Sequence, residues 1–477
     1  MKFRIAAVLI LLGPCTLWGC ATYRPAPLRP AEAARRFAER TLAKPELCTY
    51  LQANLSNSPS ACPPPRWNLA QLTLAGLFYS PDLAVAEAKV RAARAAIITA
   101  RQRPNPSLGV GTAYAATAAP NFAPWAIGAA AFNFPIETAG RRGYRIAQAQ
   151  RLAEAAALAA GETAWRVRSN VRAAFLSHLV AERQYDLARA YSSASERVAQ
   201  LLNERVAAGA AAAPALDFAL ANLAAARLKA AQARSRVPET LNGLAAALGV
   251  PVEALQSVAF AWPEFDRPPD EASLTPARIQ RLALLNRIDL RGKLAQYAAA
   301  DEALKLEIAR QYPDINLAGG YSWEVNENIF ELVPIITLPL MNQNQGPIAE
   351  AEARRAQVAA EFAALQDSII AQAKGALTSY RGALDALDQG SSAAAFSEKR
   401  LAAMRRATEL GDADALTLAS AQLETVLAQQ SQLSALAAAQ KDLGLLEDSV
   451  ERPLEPGDLK SFSLPASLQN AAGGQTS

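Results

Sequence analysis

Few residues of this chain could do covalent or acid–base chemistry, and their spacing argues against catalysis. His178 is the only histidine among 477 residues. It stands three residues after Phe175 and seven after Val171, on one helical face, so it is expected to pack between helices. A single imidazole with no Gly-x-Ser-x-Gly elbow leaves no serine triad. Gly109-Val110-Gly111 has neither a third glycine nor a following helix, and no Gly-Lys-Ser/Thr phosphate loop occurs, so a nucleotide site is excluded. Any energy-requiring process would therefore draw on a partner. Met1, Met341 and Met404 are the only methionines, too few for a soft-metal relay. Cys48 and Cys62, with one histidine in the chain, do not make a zinc site. In an oxidising location they would pair, and otherwise they are two buried thiols. No catalytic residue, cofactor site or resident metal site is expected.

Cys20 has a different significance. Lys2 and Arg4 form a charged start, Ile5–Leu12 an apolar core, and Leu17-Trp18-Gly19-Cys20 closes the segment. That order reads as a secretory signal over residues 1–19, and its end resembles a bacterial lipobox, whose cysteine takes a covalent lipid and heads the mature chain. An uncleaved membrane anchor is the alternative, but the apolar run is short for a span. Ala21 is not the Asp that retains lipoproteins in the inner membrane, so the resemblance implies the outer membrane. Removing 1–19 lowers the formal charge from +4 to +2, and no basic stripe carries interleaved aromatics, which argues against nucleic acid as a partner. No other run of about twenty apolar residues exists to span as a helix.

The remaining chain is alanine-rich helix with two extended interruptions. Pro104 and Pro106 stop a helix over Asp82–Arg103, and Leu108, Val110, Thr112 and Tyr114 then alternate with Ser107, Gly109, Gly111 and Ala113. The turn-rich segment 118–124 and an apolar run, Trp125–Phe134, complete a hairpin over 106–135. Its strands have the roughly ten residues that a tilted strand needs to cross a bilayer. A proline-free tract from Arg141 to Ala208 would reach roughly 100 Å, the length of a coiled-coil arm and not of an ordinary globular helix. Gly209 and Pro214 break it, and Ala215–Ala247 returns.

The plan then repeats. Asp289, Arg310 and Pro313 follow Asp82, Arg103 and Pro106 by 207 positions each; Pro339 follows Pro135 by 204, and Gly411 follows Gly209 by 202. In the second hairpin, 314–340, Ile315, Leu317, Tyr321 and Trp323 alternate with Asn316, Ala318, Gly320 and Ser322. Asn326-Glu327-Asn328 is expected to turn it, Ile329–Leu340 to return, and a long helix to run from Gly346-Pro347 to Leu410, followed by Ala413–Leu446. The domain reading is a lipidated proline-rich segment at 20–67, containing a short helix near Ala31–Leu42; a first repeat at 68–250 whose long helical hairpin is 141–247; a linker at 251–275; a second repeat at 276–447 whose helical hairpin is 347–446; and a tail at 448–477.

Two amphipathic hairpins cannot close a barrel, yet open strand edges are not tolerated in lipid. Four strands per chain therefore require burial or a barrel shared among subunits; three chains would supply about twelve strands, within the outer-membrane range. Narrow-faced alanine helices need close neighbours for the same reason. A ring of subunits answers both demands.

Over about 68–447 the chain resembles the outer-membrane efflux protein (TolC) family. The residues that carry this are Arg101-Gln102-Arg103-Pro104-Asn105-Pro106-Ser107-Leu108, Phe134-Pro135-Ile136 with Gly140-Arg141-Arg142, Tyr312-Pro313-Asp314-Ile315 and Leu338-Pro339-Leu340, with breaks at Ala208-Gly209-Ala210 and Leu410-Gly411-Asp412. The proline-rich segment after Cys20 is most similar to members serving drug- and cation-exporting pumps of the resistance-nodulation-division type. The resemblance implies a mainly α fold with membrane β: internally duplicated coiled-coil helices and a trimeric twelve-stranded β-barrel over a periplasmic tunnel. It implies a homotrimer that is a passive duct, partnered by outer-membrane lipid, a membrane-fusion adaptor and an inner-membrane pump. Gly209, Ala210, Gly411 and Asp412 would be the adaptor-facing tips, or Gly209 and Gly411 simple helix C-caps. Family members narrow the tunnel with aspartates about six and nine residues past the second glycine, where this chain has Thr417 and Ser420. Asp217, Asp412 and Asp414 could form carboxylate rings in a three-fold assembly, or serve as caps and first-turn acids. Glu324, Glu327 and Glu331 read as solvated loop or lumen residues. A non-conducting coiled-coil lipoprotein that links the envelope is the competing function.

Overall fold

The computed structural model describes residues 22–55, 61–111, 113–114, 125–126, 130–270, 274–324 and 327–454. The signal segment, Cys20, the turn 118–124 and most of the tail lie outside the described residues.

Among the described residues ten α-helices and six strands follow in order: α1 (Pro30–Ala38), α2 (Pro45–Asn54), α3 (Leu69–Tyr79), α4 (Pro81–Arg101), β1 (Ser107–Val110), β2 (Ala113–Tyr114), β3 (Trp125–Ala126), β4 (Ala130–Ile136), α5 (Arg141–Ala207), α6 (Ala213–Leu248), α7 (Pro276–Asn286), α8 (Ile288–Ala309), β5 (Ile315–Glu324), β6 (Glu327–Ile336), α9 (Gln345–Glu409) and α10 (Ala415–Val450). Local chemistry sets the boundaries. Asn68 and Gln71 cap α3 reciprocally, each side chain accepting the other's backbone N–H. Ser80 accepts the Leu83 N–H and Pro81 starts α4, where its fixed φ costs nothing.

The helices α5 and α9, with 67 and 65 residues, are each about 100 Å long. Each pairs with its returning helix, α6 or α10. The largest core lies about midway, at an equator, where Leu72, Val171, Phe175, Leu244, Leu248, Trp262 and Phe265 meet. A second core joins α7, α9 and α10 through Ile279, Ile369, Leu377, Tyr380, Leu443 and Leu446. Toward Gly209 the packing thins to Ala199, Ala219 and Leu223, where alanine lets helices approach while burying little area.

Several expectations need correction. The segment before residue 68 has more than the one expected short helix: α2 buries Leu47 and Leu51 completely, and a disulfide joins Cys48 to Cys62. Arg40 donates to the carbonyls of Tyr79 and Gly249, fastening this strap to the ends of α3 and α6. Strand β6 begins at Glu327 and ends at Ile336, so Glu327 and Asn328 are strand and not turn, and Thr337–Leu340 lie beyond it. The apolar tetrapeptide at 337–340 imitates a strand in composition, but Pro339 cannot donate to a ladder. Helix α10 continues to Val450, so residues 448–450 are helix and not tail. Their neighbours explain this, because Glu447, Ser449 and Val450 are buried.

Candidate functional site

Three places concentrate the chain's polar chemistry: the sheet, the helix breaks and the equator. Strands β1, β4, β5 and β6 form one antiparallel sheet in that order, and β2 pairs with β3. Directly opposed residues share a face. The register puts Leu108 beside Phe132, Phe132 beside Gly319 and Gly319 beside Leu332; Phe134 beside Leu317 and Leu317 beside Pro334; and Tyr321 beside Phe330. One face is thus a continuous apolar band. The other carries Ser107, Gly109, Ala131, Asn133, Asn316, Ala318, Gly320, Ser322 and Glu331, with Ile329, Val333 and Ile335 from the β6 edge. Gly319 belongs to the apolar face, and a Cβ there would sit 2.4 Å from the Phe132 ring, so only glycine admits that ring. Val110 is 75% exposed and Phe330 80%, because in one chain the band has no cover. Among the described residues both edges, β1 and β6, are unpaired, and Pro334 sits on an edge, where a missing N–H is tolerated.

Guanidinium groups tie this sheet to the helices. Thr138, Ala139 and Gly140 turn the chain out of β4, with Ala139 and Gly140 at positive φ. Arg141 then pairs with Asp314 at 2.7 Å and also donates to the carbonyls of Ala309 and Tyr312. The Thr138 N–H and hydroxyl donate to Asp314 and the Pro313 carbonyl. Arg145 holds Glu137 at 2.6 Å and donates to Ala100 and Gln102, while Arg142 donates to Arg101. Each arginine therefore satisfies carbonyls at the end of α4 or α8, where a cation also meets the negative pole of the helix.

At the far end lie the two breaks. Gly209 has φ +71° and Gly411 φ +81°. Ala210 donates to Arg205 and Gly209 to Val206; Asp412 donates to Ala407 and Gly411 to Thr408. Both are Schellman closures, which need a left-handed residue that glycine supplies without strain. The C-cap geometry is therefore present at both positions. Arg205 on α5 pairs with Asp414 at the start of α10, which brings the two breaks to one end of the chain. Asp414 caps α10 by accepting the Thr417 N–H at 2.7 Å. That N–H and the Arg205 guanidinium pull its carboxyl down to about 2. Asp412 and Asp217 are exposed, Asp217 on the first turns of α6 beside the exposed Phe218.

The equator holds charges that the sequence did not flag. Arg168 and Arg172 on α5 are buried around Glu447 of α10, at 2.8 and 3.5 Å. Arg172 also donates to the Gln440 carbonyl and side chain, and Gln440 donates to Phe265. Burial pushes the Glu447 carboxyl up, but the two guanidiniums and the Leu454 N–H prevail and hold it below the usual range. Aromatic faces carry the cations, with Arg168 over Trp165 and Arg172 over Trp262. A signal was available: Arg168 and Arg172 are spaced i,i+4, and Glu447 stands in the apolar stripe Leu443–Leu446–Val450. His178 packs edge-on against Phe260 and meets Thr240 at 3.2 Å, and burial pushes its pKa down against the pull of Glu182. Among the described residues no group of three or more His, Cys, Asp or Glu could hold a metal, and no helix is long and apolar enough to cross a membrane.

Residues 77–250 match the family described as "Outer membrane efflux protein". The cobalt-zinc-cadmium resistance protein CzcC of Cupriavidus metallidurans is 29% identical over 224 residues, 46% of this chain and 52% of that protein; the match thus spans about half the relative's length. A membrane protein from Pseudomonas aeruginosa has a TM-score of 0.64 at 21% identity, covering 80% of this chain and 92% of that one. The outer membrane protein VceC of Vibrio cholerae has a TM-score of 0.62 at 18% identity, covering 81% and 97%. The Campylobacter jejuni CmeC outer membrane channel has 0.63 at 14% identity, covering 85% and 89%. The proteins matched are efflux proteins and channels, not enzymes. Residues 77–250 are thus similar in sequence to the outer-membrane efflux protein family, and over most of its described length the chain shares the fold of the solved structures it matches.

Proposed function

We propose that this chain is one subunit of a passive trimeric efflux duct in the bacterial outer membrane. The observation that carries the reading is the register of the four-stranded sheet, with an apolar band on one face, small and polar residues on most of the other, and both edges open. Outward-facing apolar residues suit lipid, and the small face suits a water-filled lumen. Three copies joined edge to edge would remove the open edges. On this reading Cys20 carries a lipid, and α5, α6, α9 and α10 form the chain's share of a periplasmic tunnel. Gly209, Ala210, Gly411 and Asp412 face a membrane-fusion adaptor, through which an inner-membrane pump supplies the energy. The resistance of the CzcC relative to cobalt, zinc and cadmium favours divalent cations as cargo over drugs. Exposed Asp217 and Asp412 would then ring the entrance with carboxylates that admit cations. Asp414 is the weaker ring candidate, because Thr417 and Arg205 already engage its oxygens.

Planar-bilayer recording of the purified full-length protein tests the duct. Discrete conductance steps are expected, with cation preference that falls when Asp217 and Asp412 are replaced by Asn. A trimer that inserts but never conducts would favour a non-conducting coiled-coil scaffold. Replacing Gly209 and Gly411 with bulky residues should abolish export while the trimer still assembles; unchanged export would remove the tip assignment.

A further inference from the structure

The chain bends sharply where α7 meets α8, and the end of α10 lies against that bend. Arg287 at the bend is largely engaged: Asp289 takes its Nε at 3.0 Å and Nη2 at 2.5 Å, and the Asp448 carbonyl takes Nη1 at 3.3 Å. Glu451, the residue that stops α10, has φ +46°, a left-handed conformation unusual for a side-chain-bearing residue. Its Oε2 accepts the Ile288 N–H at 2.6 Å, its Oε1 comes no nearer than 3.8 Å to Arg287, and its side chain is 5% exposed. The charged groups facing it are Arg287 and Asp289 from the bend and Glu162 from α5. Asp448, one turn earlier on α10, is held by Trp165 and Ser169 of α5. Three carboxylates, Asp289, Glu451 and Glu162, thus face one guanidinium, and Asp289 takes the two close contacts with it.

We infer that the Glu451 joint is a proton-operated fastening between the end of α10 and the start of α8. Protonated, Glu451 sits in its buried place without charge, and the end of α10 stays seated. Ionised, it adds a buried negative charge beside Asp289 and Glu162, and the seat loosens. Burial, opposed by the Ile288 N–H and Arg287 and aided by Asp289 and Glu162, pushes this carboxyl up to about 7. An acid raised in the folded state contributes stability that is fully present below its ordinary pKa of 4.5 and is lost as pH rises through about 7. The joint therefore tightens in mild acid and loosens in mild alkali. Helix α10 runs back to the Gly411 break and α8 leads into β5, so the fastening links the two ends of the second repeat. This inference stands independently of the duct reading.

Hydrogen exchange of the full-length protein, followed in peptides covering 284–291 and 447–454 from about pH 5.5 to about pH 8.5, tests it. After correction for intrinsic chemistry, exchange should step up severalfold with a midpoint near 7. Glu451→Gln should hold the low-exchange level throughout. Asp289→Asn releases Arg287 to pair with Glu451 and should move the step to lower pH by about one unit or more. A wild-type profile without a step overturns the inference. So does a step that persists unchanged in Glu451→Gln, or one that Asp289→Asn leaves in place should the first variant fail to fold.

Discussion

The two halves of the chain share a plan but not a charge distribution. Both carry a strand hairpin, a helix of about 100 Å and a Schellman break. In the direct ion pairs described between the halves, however, the cations come from the first and the anions from the second. Arg141 pairs with Asp314, Arg168 and Arg172 with Glu447, and Arg205 with Asp414. These contacts run from the sheet junction through the equator to the breaks, so complementary charge marks the seam along its whole length. At the breaks the partners have no charged counterpart in the other repeat: Asp414 stands three residues after its break, where the first repeat has Ala212, and Arg205 four before its own, where the second has Ala407. Divergence in charge lets one half recognise the other in a fixed register, and it leaves the backbone geometry that both need untouched.

The buried part of that seam should be the most sensitive to disruption. Replacing Glu447 with Gln leaves Arg168 and Arg172 interred around a neutral partner, with side chains 5% and 3% exposed. Removing one member of a buried ionic cluster costs roughly 3–5 kcal/mol, because the partner's charge stays in low dielectric. Thermal unfolding of the variant should show the largest fall of the seam positions. Adding Arg168→Met to it should recover part of the loss; a double variant no better than the single would mean that the charges were not the cause.

How much of this was legible in the sequence follows from what each feature depends on. The helices and breaks rest on local rules, so Gly209 and Gly411, Pro104 and Pro106, and the alternation from Ile315 onward announce themselves. The pairing β4 with β5 joins residues about 190 positions apart. Only the duplication hinted at it. Glu327 and Asn328 misled because a polar pair has turn composition, yet the sheet reaches to the Glu324–Glu327 rung. The Arg168–Glu447 cluster was easily passed over because a charged residue on a helix is usually solvated, and only the apolar stripe around Glu447 hinted that a partner buries it. Asp414 was legible as both cap and ring candidate; its bond to Arg205 depends on helices brought together from opposite halves.

The sheet junction offers a milder test. Asp314→Asn keeps the shape but removes the carboxylate that accepts from Arg141 and the Thr138 N–H. Both groups are partly exposed, so a loss of about 1–2 kcal/mol is expected, the range of a charge-assisted hydrogen bond. The same measurement on Asn344→Ala, at the corresponding exit of the second hairpin, should show a smaller change. There the Asn344 side chain donates to the Glu307 carbonyl and carboxylate, where the first exit has an arginine that spans several carbonyls. Equal losses would mean that the two exits are energetically alike despite their different chemistry.

At the breaks the seam is exposed, and the effect should be smallest. Arg205 and Asp414 are 38% and 49% exposed, so water and salt screen their attraction. Asp414→Asn keeps a side-chain oxygen for the Thr417 N–H but gives up the charge, and should lower the melting temperature only slightly at neutral pH. The wild type should lose this contribution as pH falls from the ordinary Asp value of 3.8 through about 2, because a lowered carboxyl stabilises only while ionised. Exchanging the charges, with Arg205→Asp and Asp414→Arg together, separates pairing from capping. The ion pair can re-form across the seam, but the cap on α10 is lost, since an arginine has no acceptor for the Thr417 N–H. If the swapped protein is as stable as the wild type, the two halves need opposite charges here without caring which side carries them. If it is weaker than Asp414→Asn alone, the orientation is fixed by the cap, and the acid belongs on the second half because only that break starts its returning helix with a side-chain cap.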